Sequence, residues 1–114
     1  MVNSRQKGKV GEREWAAYLK ERGYEARRTQ QHKGESDSFD VVANDPVGRW
    51  EVKRREVLRP QLDEIVDQAR REAAGALSGV AWRRNAGRWV VAMDADDFFR
   101  LLDKARAAMG EETT

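Results

Sequence analysis

Apolar and polar positions recur along the chain with two different periods, and each period marks an element. Val10, Trp15, Tyr18 and Leu19 stand among charges at helical spacing, which predicts a helix from about Gly8 to Arg22, stopped at Gly23. Tyr24 to Gln30 reads as a strand, and Gln31 to Ser38 as a polar loop without periodicity. Phe39 to Ala43 is aromatic and β-branched, Asn44 to Gly48 is turn chemistry, and Arg49 to Lys53 alternates charged with apolar. These segments predict a hairpin, which Val57 and Leu58 extend. Arg59 is held extended by Pro60, and Pro60 suits the first turn of a helix. Leu62, Ile65, Val66, Ala69, Ala73 and Leu77 then form an i, i+3, i+4 stripe, an amphipathic helix from Gln61 to about Leu77 that Ser78 and Gly79 end. Val80 to Arg84 and Arg88 to Met93 flank Asn85-Ala86-Gly87 as a second hairpin. Phe98, Phe99, Leu101, Leu102 and Ala105 mark a last helix, with Asp94 to Asp97 as acids that cap its start rather than bind metal. The order α-β-β-β-α-β-β-α predicts an α/β fold of the α+β type: a mixed sheet with helices on its faces.

Length and composition bound what such a fold can do. At 114 residues the chain makes one domain, residues 1–114, with a core of about 7–109 between tails expected to be mobile. It has no cysteine, which excludes disulfides, thiol catalysis and cysteine zinc sites. Its single histidine, His32, cannot make a His-rich metal site, so any metal sits among carboxylates. No apolar run approaches the ~20 residues of a membrane span. No signal-peptide pattern opens the chain. These absences predict a cytoplasmic protein with no membrane partner. The net charge is only +2, yet basic residues cluster at Arg27-Arg28, Lys53-Arg54-Arg55, Arg70-Arg71 and Arg83-Arg84. Such patches suit a phosphate backbone. An arginine-rich composition from genome bias or a hot habitat would look the same.

The candidate chemistry lies in the first hairpin. Its alternation puts Glu51 and Lys53 on one face and Trp50 and Val52 on the other. A register with Ala43 opposite Gly48 also sets Asp40 opposite Glu51, with Cβ atoms roughly 4.5–5.5 Å apart. Carboxylates that close repel, and a divalent cation is the usual compensation. Lys53 adds a positive group beside it. A metal, an activated water and a cation outline a phosphodiesterase site. Strand faces also carry Asp, Glu and Lys merely for solubility. Glu12 reads equally as a solvated helix carboxylate paired with Lys9 or Arg13, and Gln68 as a boundary residue of its stripe. In the loop, His32, Lys33, Glu35 and Asp37 could touch DNA or metal, or be polar without function.

These elements together resemble the PD-(D/E)xK nuclease superfamily, and within it the archaeal-type Holliday junction resolvases and short resolvase-like proteins of bacteriophages. The resemblance covers about residues 7–105. It rests on Lys7-Gly8 and Glu12 in KGKVGEREW, Asp40 in FDVVA, Glu51 and Lys53 in WEVKRR, Gln68 in DQARREA, and Arg83 and Arg84 in WRRN. The proline usual before the aspartate is Phe39 here, and Asp37 is the rival for Asp40.

The resemblance implies a restriction-endonuclease-like core. It implies that Asp40, Glu51 and the Val52 carbonyl hold Mg²⁺ (or Mn²⁺), that Lys53 orients or deprotonates the attacking water, that Glu12 completes the site through water or a second metal, and that Gln68 steadies the water or Lys53. Lys7, Lys9, Arg27, Arg28, Lys33, Arg54, Arg55, Arg83 and Arg84 would follow phosphates. The implied partner is branched double-stranded DNA. Two symmetric cuts imply a homodimer, with the Trp82/Trp89 hairpin or the last helix at its interface. A nicking, flap or restriction-type endonuclease, and a DNA-binding module without catalysis, are the alternatives.

Overall fold

The computed structural model describes residues 4–29 and 39–110, with side chains from residue 8 onward. Along them run α1 (Ser4–Glu21), β1 (Ala26–Arg28), β2 (Val41–Ala43), β3 (Arg49–Arg54), α2 (Leu62–Ala73), β4 (Gly79–Arg83), β5 (Val90–Ala92) and α3 (Ala95–Ala108). The order is the one the apolar pattern predicts. His32, Lys33, Glu35 and Asp37, and the side chain of Lys7, lie outside the described residues.

The strands form one five-stranded mixed sheet in the order β1-β2-β3-β4-β5. Neighbours are antiparallel except β3 and β4, which are parallel. A parallel pair needs a long crossover, and α2 supplies it. The sheet separates two apolar clusters. On one face Trp15, Ala16 and Leu19 of α1 meet Val41, Val47, Trp50, Val52 and Ala81. On the other, Ile65, Ala69 and Ala73 of α2 meet Phe39 and Val80. Trp15 organises the first cluster, with its ring centroid 4.9 Å from Trp50 and 5.0 Å from Trp89. Two glycines permit the close approaches. A Cβ on Gly79 would lie 2.6 Å from Cζ3 of Trp50, and one on Gly11 would lie 2.8 Å from Cβ of Arg54.

Three expectations are corrected. α1 begins at Ser4, so part of the supposed N-terminal tail is helix; Arg5, Gln6 and Lys7 are all good helix formers. α2 runs from Leu62 to Ala73 and leaves Pro60 outside. Ala74 turns left-handed at φ 48° and its N–H returns to the carbonyls of Arg70 and Arg71, with Gly75 following at φ 96°. Leu77 keeps the helical spacing but is buried in the connection to β4. β3 ends at Arg54, so Val57 and Leu58 do not extend it. Trp89 packs on Trp15, and Trp82 Nε1 donates to the Arg55 carbonyl at 2.8 Å.

The acids before α3 do cap it. Asp94 accepts from the N–H groups of Asp96 at 2.9 Å and Asp97 at 3.3 Å. Asp97 is buried and holds Arg70 Nε at 3.4 Å and Arg100 Nη1 at 3.0 Å, which ties α3 to α2. Among the described residues no helix is long and apolar enough to cross a membrane.

Candidate active site

Asp40 and Glu51 meet at the end of the sheet where β1 finishes and β2 begins. The turn between β2 and β3 sets their register. Asp45 is buried in it and accepts from Val47 N–H at 3.1 Å, Gly48 N–H at 3.3 Å and the Trp50 indole at 3.1 Å. Gly48 takes φ 84°, a conformation that favours glycine. The resulting ladder pairs Val42 with Arg49 and Val41 with Trp50, and one further regular step would set Asp40 against Glu51.

The ladder then breaks. Asp40 N–H donates to the Trp50 carbonyl at 3.1 Å, and Val52 N–H donates to Asp40 Oδ2 at 2.8 Å. A side-chain carboxylate thus replaces a main-chain acceptor. The strand also turns over here. Val41 belongs to the α1-side cluster, and Phe39, two residues earlier, to the α2-side cluster. A regular strand would put both on one face. Thr29 holds this twist: its hydroxyl donates to the Phe39 carbonyl and its N–H to the Asp40 carbonyl at 3.0 Å. Because Val52 N–H faces Asp40, its carbonyl leaves the strand on that same edge.

Glu51 is half-buried between carboxylates. Burial first, then the charge of Asp40, then Glu72 push its pKa up to about 8, while Lys53 pulls it down. Glu72, on α2, also hydrogen-bonds to Glu51 and accepts from Gln68 Nε2 at 3.2 Å. The sequence reading missed both Glu72 and Thr29. Glu72 looked like one more charge on a solvated helix face, and Thr29 like an ordinary strand residue. Gln68 is exposed and reaches Glu51 only through Glu72. Glu12 stands on α1 beside Arg28, whose Nε lies 3.0 Å from its Oε1. Its pKa is raised, chiefly by burial and further by the Asp40 charge, against the pull of Arg28.

Among the described residues no three Asp, Glu or His side chains converge as metal ligands. The two opposed carboxylates and the neighbouring main-chain edge offer oxygen donors only. That set suits a hard cation that keeps waters and takes substrate phosphate, rather than zinc or a fully protein-caged ion.

Comparison with known proteins matches this architecture. No family model matches the chain, and neither does any curated protein. Among solved structures, Archaeoglobus fulgidus Hjc, a Holliday junction resolvase from an archaeal hyperthermophile, is similar at 27% identity and a TM-score of 0.59. The likeness covers 75% of this chain and 76% of that one. The fold is the restriction-endonuclease-like fold of a resolvase.

On this resolvase fold the basic residues divide into two sets. Arg28 is engaged by Glu12. Arg54 and Arg83 are drawn to Glu14, at 2.8 Å and 3.5 Å. The closer contact is an ion pair whose N–H is not aligned for a hydrogen bond. These three arginines brace α1 against β1, β3 and β4. Lys9, Arg27, Arg55 and Arg84 are exposed. Arg84 lies over the Trp82 ring at 5.6 Å, and Arg55 donates to the Arg59 carbonyl.

Proposed function

We propose that the protein is a metal-dependent, structure-selective DNA endonuclease that resolves four-way junctions by paired phosphodiester hydrolysis. The observation that carries this is Asp40 at the break of the β2–β3 ladder, held by Val52 N–H and near enough for its charge to act on Glu51, on a fold similar to that of a Holliday junction resolvase. Asp40, Glu51 and the Val52 carbonyl would hold Mg²⁺, with Mn²⁺ as a substitute. When bound, the cation supplies a polarised phosphate and a water acidic enough to attack it.

The chain's own residues do the remaining work. Val52 N–H fixes one oxygen of Asp40, so that carboxylate is aimed before substrate arrives. Glu51 carries a proton at neutral pH in the free protein and gives it up when a cation takes its place. Lys53, one alternate position along β3, orients the attacking water and offsets charge on the phosphate. Glu12, fixed by Arg28, borders Asp40 from α1. Glu72 links Gln68 to Glu51, so Gln68 acts on the site at one remove. Lys9, Arg27, Arg55 and Arg84 meet phosphates of the arms, which fixes position without reading bases.

Two cuts of like polarity need two such centres, hence a homodimer on the junction, acting in the cytoplasm. Asp40→Asn, Glu51→Gln and Lys53→Ala each test the assignment. Each is expected to lower junction cleavage by at least about 100-fold while binding, read by gel shift without Mg²⁺, stays within a few fold. Cleavage at the wild-type rate in any one variant removes that residue from the mechanism.

A further inference from the structure

Asp40 stands just before β2, and its main chain is gripped from both neighbouring strands. On the β3 side its N–H donates to the Trp50 carbonyl at 3.1 Å. On the β1 side a single residue, Thr29, takes two successive carbonyls. Its hydroxyl donates to the Phe39 carbonyl and its N–H to the Asp40 carbonyl at 3.0 Å. Successive carbonyls of a regular strand point to opposite sides. Here both point to Thr29, and the chain bends at Asp40. The bend has a chemical consequence. Val52 N–H finds the Asp40 carboxylate, at 2.8 Å, where a regular ladder would offer a main-chain carbonyl. Taking both carbonyls requires a short side-chain donor beside a main-chain N–H. Thr29 supplies both directly after β1, and it is buried.

We propose that the Thr29 hydroxyl is a positioning group of the candidate site: by drawing the Phe39 carbonyl toward β1 it turns Asp40, so that the carboxylate meets Val52 N–H and is held ready for a cation. The hydroxyl does this, and the methyl does not. Thr29→Val keeps the shape and the main-chain N–H but removes the donor to the Phe39 carbonyl. That carbonyl is then free to alternate as in a regular strand, which swings the Asp40 carboxylate away from Val52. Thr29→Ser keeps the donor and with it the bend. Thr29 acts through Asp40, as hydrogen-bond partners behind a ligand carboxylate commonly do. The inference deepens the proposed function, and rests on that reading only for the cation.

Amide exchange of the full chain in EDTA, followed by NMR, tests the hold on Asp40 without any metal. The Val52 N–H is expected to exchange about 10-fold faster in Thr29→Val, for a lost hydrogen bond, and at the wild-type rate in Thr29→Ser. The Ala43 N–H, bonded to the Gly48 carbonyl in the same hairpin, is expected to exchange alike in all three. A Val52 amide equally protected in all three overturns the proposal. So does Thr29→Ser behaving like Thr29→Val, which would make the methyl the cause. Where Thr29→Val does not fold, Thr29→Ser alone decides between hydroxyl and methyl. Calorimetric titration with Mn²⁺ reads the consequence at the site. The Kd is expected to rise about 10-fold or more in Thr29→Val and to stay near wild type in Thr29→Ser, with junction binding in EDTA unchanged in both. Wild-type Mn²⁺ affinity in Thr29→Val overturns the positioning role. A wild type that takes up no Mn²⁺, with the Val52 result as expected, overturns the cation reading and leaves the hold of Thr29 on Asp40 standing.

Discussion

Glu51 ionises far above the ordinary carboxylate range because burial, Asp40 and Glu72 all oppose its charge. The unfolded chain releases this proton near the ordinary glutamate value of 4.5, while the folded chain keeps it up to about 8. Between those values the unfolded state binds fewer protons, so stability falls as pH rises and levels off above about 8. Thermal melts in EDTA are expected to show the melting temperature declining through that window, and Glu51→Gln to flatten the decline. Added Mg²⁺ should raise the melting temperature more at the alkaline end, where the carboxylates are ionised. A melting temperature that climbs with pH across the window would contradict this environment for Glu51. The residues legible beforehand were those whose position follows from alternation and turn length: Glu51 and Lys53 share a face because β3 alternates, and the turn brings Asp40 beside them. Glu72 was not legible. Nothing in a helix-surface glutamate says that the crossover will lay it over a buried one. The arginines divided for a like reason, since which of them meets an acid depends on how α1 crosses the sheet.

At the scale of elements, the turn between β2 and β3 governs the site. Asp45 fixes the turn and the turn fixes the register of Val41 and Val42 on β3, which brings Asp40 near Glu51. Asp45→Ala leaves the Trp50 indole and the Val47 N–H without their acceptor, at a cost of roughly 1–3 kcal/mol. Urea unfolding should show the midpoint lowered with an unchanged slope, and cleavage should fall along with it. A variant as stable as wild type would mean that the register is held elsewhere. The hairpin and its register were legible because the turn chemistry and the period-2 alternation agree. The end of α2 was not, because Leu77 continues the apolar spacing past the point where Ala74 and Gly75 turn the chain. The twist at Asp40 was also hidden. It depends on Thr29 catching the Phe39 carbonyl, a contact between residues ten apart in sequence.

At the scale of the molecule, the sheet carries Asp40 and Glu51 with α1 on one face and α2 on the other, and Lys9, Arg27, Arg55 and Arg84 are exposed. Under the proposed function, phosphate contacts from Lys9, Arg27, Arg55 and Arg84 would track backbone shape rather than base edges, so selectivity would come from how the arms of a branched substrate are disposed. The most direct measurement is cleavage of a labelled four-way junction beside a linear duplex of the same sequence, each with Mg²⁺ and with EDTA. Paired, symmetric cuts in the junction alone, abolished by EDTA, are the expected result. Binding without cleavage of either substrate in Mg²⁺ or Mn²⁺ would contradict it and leave a DNA-binding module on a nuclease fold.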